Sequence, residues 1–250
     1  MRVKFIVPFP FDEQGVRNRA EQLPARLIRP GWEVKFVPVK NSCAYADSYY
    51  DLLLLDMFIF EEGLKSEQEG YDAVCIDTMT DSGMYALRSR LRIPVIGPGI
   101  ATMHLAGILG HKFSIVTLWE RWIPIYTRAL NEYRLWDKCA SLRSIGEVPD
   151  LLNLLKGKEE HVFSKLEKEC RAAIEQDGAS VIVLGSTTMH QSQAYLAERL
   201  PVPVLNPGVI AYKIAEMLVE LGLSHSKVAF PPPGEPRDNL IFTRLAAAQH

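Results

Sequence analysis

The chain has 250 residues, 48% of them hydrophobic and 23% charged, with a formal net charge of -2. This is an ordinary globular composition, enough for one large domain or two small ones, and it excludes disorder, collagen and coiled coil as whole-chain descriptions. There is no excess of positive charge to hold a phosphate backbone, so nucleic acid is not an expected partner.

The opening residues Met1–Pro8 read as a strand rather than a leader, lacking a long apolar stretch and a small-residue cleavage site. The longest apolar run, Leu52–Phe60, is broken by Asp56 and is far short of the roughly 20 residues a bilayer span needs, so no membrane association is expected. Short apolar runs at Val3–Val7, Val34–Val39, Ala73–Asp77, Pro94–Gly97, Phe113–Thr117, Val181–Leu184 and Pro203–Leu205 predict strands. They are apolar on both parities, as parallel strands covered on both faces must be. Between them, Tyr49–Ser66, Ser82–Leu91, Glu120–Tyr133, Glu159–Gln176 and Val209–Leu221 carry helical patterns. The alternation predicts an α/β fold with parallel sheets flanked by helices. The tail from Pro231-Pro-Pro-Gly to His250 reads as an extended arm reaching across a subunit boundary. Cys43, Cys75, Cys139 and Cys170 have neither metal nor redox spacing, and a reduced cytoplasmic compartment is the expectation.

The chain also contains itself twice. Ala73-Val-Cys-Ile-Asp-Thr-Met-Thr leads through a helix to Ile93-Pro-Val-Ile-Gly-Pro-Gly-Ile, and Val181-Ile-Val-Leu-Gly-Ser-Thr-Thr leads through another to Val202-Pro-Val-Leu-Asn-Pro-Gly-Val. The opening strands match as well, Lys4-Phe-Ile-Val against Lys112-Phe-Ser-Ile-Val, at a period of about 108 residues. The repeat predicts two similar α/β lobes. In parallel sheets ligands sit beyond the carboxyl ends of strands, where the matched turns Asp77-Thr78-Met79-Thr80 and Gly185-Ser186-Thr187-Thr188 fall. Two facing lobes place a small substrate between Thr78 and Ser186. Each turn offers hydroxyls and free N–H groups before a helix, a natural anion site, although the same hydroxyls also serve as helix caps.

The segments Ile93 to Thr117, Ile123-Pro-Ile, Asp177-Gly-Ala-Ser-Val-Ile-Val-Leu-Gly-Ser and Leu221-Gly-Leu-Ser-His-Ser-Lys resemble the hydantoin racemase branch of the aspartate/glutamate racemase superfamily, collinearly from about residue 70 to Lys227. The resemblance implies two pseudo-symmetric lobes with the active site in the cleft between them. It also implies chain crossings near Gly97 and Asn206, so that residues 1–97 with 207–250 form the first lobe and 98–206 the second. It implies an enzyme that needs no cofactor, works as a homo-oligomer on a small-molecule carboxylate or cyclic amide, and uses two cysteines on opposite faces of an acidic carbon. Here the first cysteine turn reads Thr78-Met79-Thr80-Asp81-Ser82-Gly83 and the second Leu184-Gly185-Ser186, so both thiols are replaced.

The replacement matters because a thiol has a pKa of about 8.5, whereas an aliphatic alcohol needs an adjacent base. Cys75, inside its strand, reads as a core residue. Asp77 ends an otherwise apolar strand and, if buried, rises toward the range of a general base; helix capping is the rival reading. His190, one helical turn after Ser186, is placed to activate it. Asp77, Thr78, Ser186 and His190 are the candidate catalytic residues. Pro8, Phe9, Met79, Thr80, Asp81, Thr117, Thr187 and Thr188 are the candidate substrate contacts, and His104 reads as structural. Pro8-Phe9-Pro10-Phe11, with Trp119 and Trp122, predicts an aromatic wall for an apolar or ring-bearing substrate. No dinucleotide, P-loop or zinc signature is present. The leading expectation is a racemase or isomerase; a decarboxylase, lyase or hydrolase using Asp77 or Ser186, and a non-catalytic carboxylate-binding protein, are the alternatives.

Overall fold

A computed structural model describes residues 1–152, 154, 155, 157 and 159–240. The first sheet contains β1 (Arg2–Val7), β2 (Glu33–Pro38), β3 (Ala73–Ile76) and β4 (Val95–Ile96), parallel throughout and ordered β2-β1-β3-β4. The second contains β5 (Phe113–Thr117), β6 (Cys139–Ser144), β7 (Val181–Leu184) and β8 (Val204–Leu205), again parallel and ordered β6-β5-β7-β8. Central strands β3 and β7 are buried at every position, which is why they are apolar on both parities.

Helices α1 (Glu13–Ala20), α2 (Tyr49–Gly63), α3 (Met84–Arg90) and α4 (Pro98–Leu109) accompany the first half, and α5 (Ile123–Tyr133), α6 (Glu159–Glu175), α7 (Gln193–Arg199) and α8 (Pro207–Glu220) the second. Both α4 and α8 open on Pro-Gly, with proline at the first helical position, where its missing N–H costs nothing. α4 packs on β7 and β5, α8 packs on β3 and β4, and the two helices pack on each other. Each therefore follows the last strand of one sheet and covers the other. Close approach explains the glycine after each proline. A Cβ at Gly99 would lie 2.5 Å from the Met79 carbonyl oxygen, and one at Gly208 would collide with Gln22 Oε1.

The predicted helix over Glu120–Tyr133 is two pieces, a 3-10 turn at Glu120–Trp122 and α5, joined where Pro124 permits only a first helical turn. Strand β6 and helix α1 have no counterpart in the sequence reading. Among the strands β6 is a half-buried edge with serines and an arginine, and α1 buries Asn18 and Arg19 instead of an apolar stripe. The described part of the C-terminal arm lies against its own chain: Phe230 stacks on Tyr85 and Asp238 pairs with Arg90 of α3 at 2.5 Å. The rest of the arm, residues 241–250, lies outside the described residues.

Candidate active site

Beyond β3 the chain leaves the sheet at Asp77 and turns through Thr78–Gly83 into α3, which needs a left-handed residue at Gly83 (φ 72°). Asp81 takes the same region at φ 52°, unusual for a residue with a Cβ. Its carboxylate accepts from the N–H groups of Gly99 (2.8 Å) and Ile100 (2.6 Å) and from the Tyr133 hydroxyl (2.7 Å). Two hydrogen bonds from the start of α4 and one from Tyr133 at the end of α5 hold the strained turn in place. Burial nevertheless pushes this carboxyl up to about 6.

The turn after β7 faces the first one across a shared cavity. The cavity is lined by Pro8, Phe9 and Arg19, by Asp77 through Thr80, by Trp122, Ile125 and Tyr126, and by Gly185, Ser186 and Thr188. The pseudo-equivalent turns each pair two hydroxyls at hydrogen-bond distance. Thr78 Oγ1 lies 3.1 Å from Thr80 Oγ1, and Ser186 Oγ lies 2.8 Å from Thr188 Oγ1. On the first side the chain continues from Thr80 Oγ1 to Ser82 Oγ at 2.9 Å. On the second, Ser186 Oγ also accepts from the Thr188 N–H at 3.1 Å.

Asp77 is 1% exposed. Its Oδ1 accepts from Gln22 Nε2 at 3.0 Å and its Oδ2 lies 3.5 Å from Arg19 Nη1. Burial raises its pKa, partly opposed by the Arg19 charge and the hydrogen bonds from Gln22 and Thr187. Burial also draws Arg19 down against the pull of Asp77, yet a guanidinium stays cationic at any pH a protein meets. Three polar atoms on cavity-lining residues are buried without a hydrogen-bond partner: Arg19 Nε, Trp122 Nε1 and Asp77 Oδ2.

The remaining predicted residues stand behind the cavity wall. Thr117 Oγ1 supports the Tyr126 hydroxyl at 3.1 Å, and that hydroxyl donates to the Gly185 carbonyl. Thr187 Oγ1 bonds Arg19 and the Asp77 carbonyl. His190 Nδ1 lies 3.1 Å from the Thr187 carbonyl, and its ring is outside the cavity lining. His104 Nδ1 faces the Ile100 carbonyl within its own helix at 2.8 Å. None of the four thiols lines the cavity, and burial pushes every one of them up: Cys43 and Cys139 to about 11, Cys170 to about 12, and Cys75 well above its usual value. Arg19, Ala46, Ile125, Tyr126 and Leu151 line the cavity without a signal in the sequence. A polar helix gives no burial signal for Arg19, and α5 reads only as an amphipathic helix.

The family model for Asp/Glu/hydantoin racemases matches residues 16–215 of this chain. The chain belongs to the Asp/Glu/hydantoin racemase family. A hydantoin racemase of Pseudomonas sp. (strain NS671) is 30% identical over 215 residues, covering 86% of this chain and 84% of its own. A solved allantoin racemase from Klebsiella pneumoniae is 28% identical and superposes with a TM-score of 0.86 over 94% of this chain and 95% of its own. An allantoin racemase from Pseudomonas fluorescens is 27% identical with a TM-score of 0.84, over 95% and 99% of the two chains. The two parallel four-stranded sheets are thus the two-lobed racemase fold, and the chain is an enzyme of the racemase or isomerase type. No helix among the described residues is long and apolar enough to cross a membrane.

Proposed function

We propose that this enzyme, without a cofactor, inverts or isomerises a neutral cyclic amide of the hydantoin class at the carbon beside a carbonyl, with Thr78 and Ser186 standing where the family's two cysteines stand. The observation that carries the reading is the pair of pseudo-equivalent hydroxyl turns on opposite sides of one cavity. Charge balance selects the substrate class. Among the described residues the cation lining the cavity is Arg19, and it is already compensated by Asp77, which favours a neutral ring over a carboxylate. The unpartnered donors on Arg19 and Trp122 suit a ring with two carbonyl oxygens, since a ligand that satisfies them relieves about 1–3 kcal/mol each. Phe9, Met79, Trp122 and Ile125 form an apolar wall for a ring substituent.

In this reading Asp77, the carboxylate lining the cavity among the described residues, is the base. Its raised pKa strengthens it as a proton acceptor, and no thiol is available as thiolate near neutral pH. The carbon–hydrogen bond breaks, the proton passes to Asp77 Oδ2, and the electron pair moves to the carbonyl oxygen, held by the N–H and hydroxyl donors of the turns. Return of that proton restores the substrate. Delivery to the other face through Ser186, replenished from Thr188 and solvent, inverts it, after which Asp77 releases its proton.

A proton NMR time course in deuterated water with enantiopure 5-substituted hydantoins tests this. Deuterium entering the ring carbon as optical rotation decays is the expected result. Retention of proton and rotation across benzyl, isobutyl and ureido substituents overturns it. Two further assignments belong to the same proposal. The lobes divide as 1–97 with 207–250 and 98–206, which the packing of α4 and α8 on opposite sheets supports, and the chain works as a homo-oligomer in a reduced cytoplasm.

A further inference from the structure

Arg19 sits in the last turn of α1, and 2% of it is exposed. Its Nη1 donates to Thr187 Oγ1 at 3.0 Å and lies 3.5 Å from Asp77 Oδ2. Thr187 Oγ1 in turn donates to the Asp77 carbonyl at 3.2 Å. Gln22, one turn later, donates to Asp77 Oδ1 at 3.0 Å and to the Arg19 carbonyl at 2.9 Å. The guanidinium carbon also lies 5.7 Å from the centre of the Phe11 ring, in the loop that follows β1. A single side chain therefore touches the loop after β1, the turn after β3 and the turn after β7, which carry Phe9, Thr78 and Ser186 respectively.

We propose that Arg19 is the positioning residue of the site: it staples the two hydroxyl turns to each other across the lobes and keeps the Asp77 carboxylate ionised beside them. The inference rests on the reading of this cavity as the catalytic site. Its physical basis is the cost of burial. Neither charge would remain in this environment without the other, and a buried pair generally adds little net stability over apolar side chains of the same volume. A fold needing only packing here has no use for an arginine, whereas a site needing an ionised base and a fixed gap between two turns does. Thr187 is part of the same device, which explains a buried hydroxyl at this turn that does not itself reach the cavity.

Among the described residues the charged group facing the Asp77 carboxylate is Arg19. Cys75, two residues back on β3, is a further titratable neighbour and is neutral, and Gln22 and Thr187 contribute uncharged hydrogen bonds. Replacing Arg19 by an apolar residue leaves desolvation unopposed, so Asp77 takes up its proton at a higher pH than in the wild type.

The test uses the full-length enzyme as wild type, Arg19→Lys and Arg19→Met. One readout is the pH profile of hydantoin hydrogen–deuterium exchange; the other is a carbon-13 NMR titration of the Asp77 carboxyl, identified by its loss in Asp77→Asn. In Arg19→Met the Asp77 titration and the acid limb of kcat/KM both move up by at least one pH unit, kcat falls at least 100-fold, and KM changes less than fivefold. Arg19→Lys restores the titration to near its wild-type position and melts close to the wild type, whereas Arg19→Met, which leaves Asp77 buried without its partner, melts lower but stays folded at the assay temperature. A titration and a pH profile unmoved in Arg19→Met overturn the proposal, as does a loss of activity that merely tracks a lowered melting temperature. If the wild type exchanges no substrate hydrogen, the functional reading fails, while the carboxyl titration still decides whether Arg19 holds Asp77 ionised.

Discussion

Asp81 and Asp77 are both buried acids in one turn, yet they do different work. Asp81 stays where three donors converge on it, and burial still raises its pKa to about 6. A carboxyl whose folded pKa lies above its unfolded value binds its proton more tightly in the folded state. Its contribution to stability is complete below the unfolded value near 4 and is lost as pH rises through about 6. Replacing Asp81 by Asn is expected to flatten the stability profile between pH 4 and 6 by about 3 kcal/mol, read from urea midpoints across that range. Asp77 is instead the base of the proposed reaction. Asp77→Asn should reduce ring-hydrogen exchange at least 100-fold while leaving calorimetric hydantoin affinity within a few-fold of wild type. An equal loss of binding and exchange would assign Asp77 to substrate recognition. The thiols give a third expectation at this scale. Cys43 is half-buried, the other three are buried, and all are held protonated near neutral pH. Iodoacetamide at pH 7.5 should therefore leave activity intact, and rapid inactivation would show that a cysteine had kept the family's role.

The two hydroxyl turns are the elements on which the proposed reaction rests. The first offers a relay of three hydroxyls, Thr78, Thr80 and Ser82, and the second a relay of two, Ser186 and Thr188. Thr80→Val and Thr188→Val remove the hydroxyl that partners Thr78 and the one that partners Ser186 at nearly constant volume. Each is expected to lower kcat about tenfold with little change in KM, the signature of a group whose contribution appears in the transition state. The start of α4 carries a steric expectation of its own. A Cβ at Gly99 would meet the Met79 carbonyl at 2.5 Å and the Asp81 carboxylate at 2.8 Å, so Gly99→Ala should cost about 1–3 kcal/mol in thermal or urea unfolding and displace the Thr78 turn.

Across the whole molecule, two copies of one strand order face each other, each sheet covered by the helix that follows the other. Much of this was legible in the sequence. Strands β3 and β7 announce themselves because burial on both faces demands apolar residues at both parities, and the repeat of Pro-Val and Pro-Gly segments marks equivalent helix starts. Those local requirements also point to Thr78 and Ser186, which line the cavity, because ligand sites follow strand ends. Thr117, Thr187 and Asp81 were read as substrate contacts, whereas the structure sets them one layer back, supporting Tyr126, Arg19 and the start of α4. Helix α1 stayed invisible because a polar buried face has no periodic hydrophobic signature. Arg19 became a site residue only through Thr187, 168 positions away, and through Asp77. Local sequence thus determined the strands, the repeat and the two hydroxyl turns, since period and turn chemistry are written in neighbouring residues. Which buried charge meets which partner was decided by the tertiary structure alone, because the stability of an ion pair depends on groups that only folding brings together.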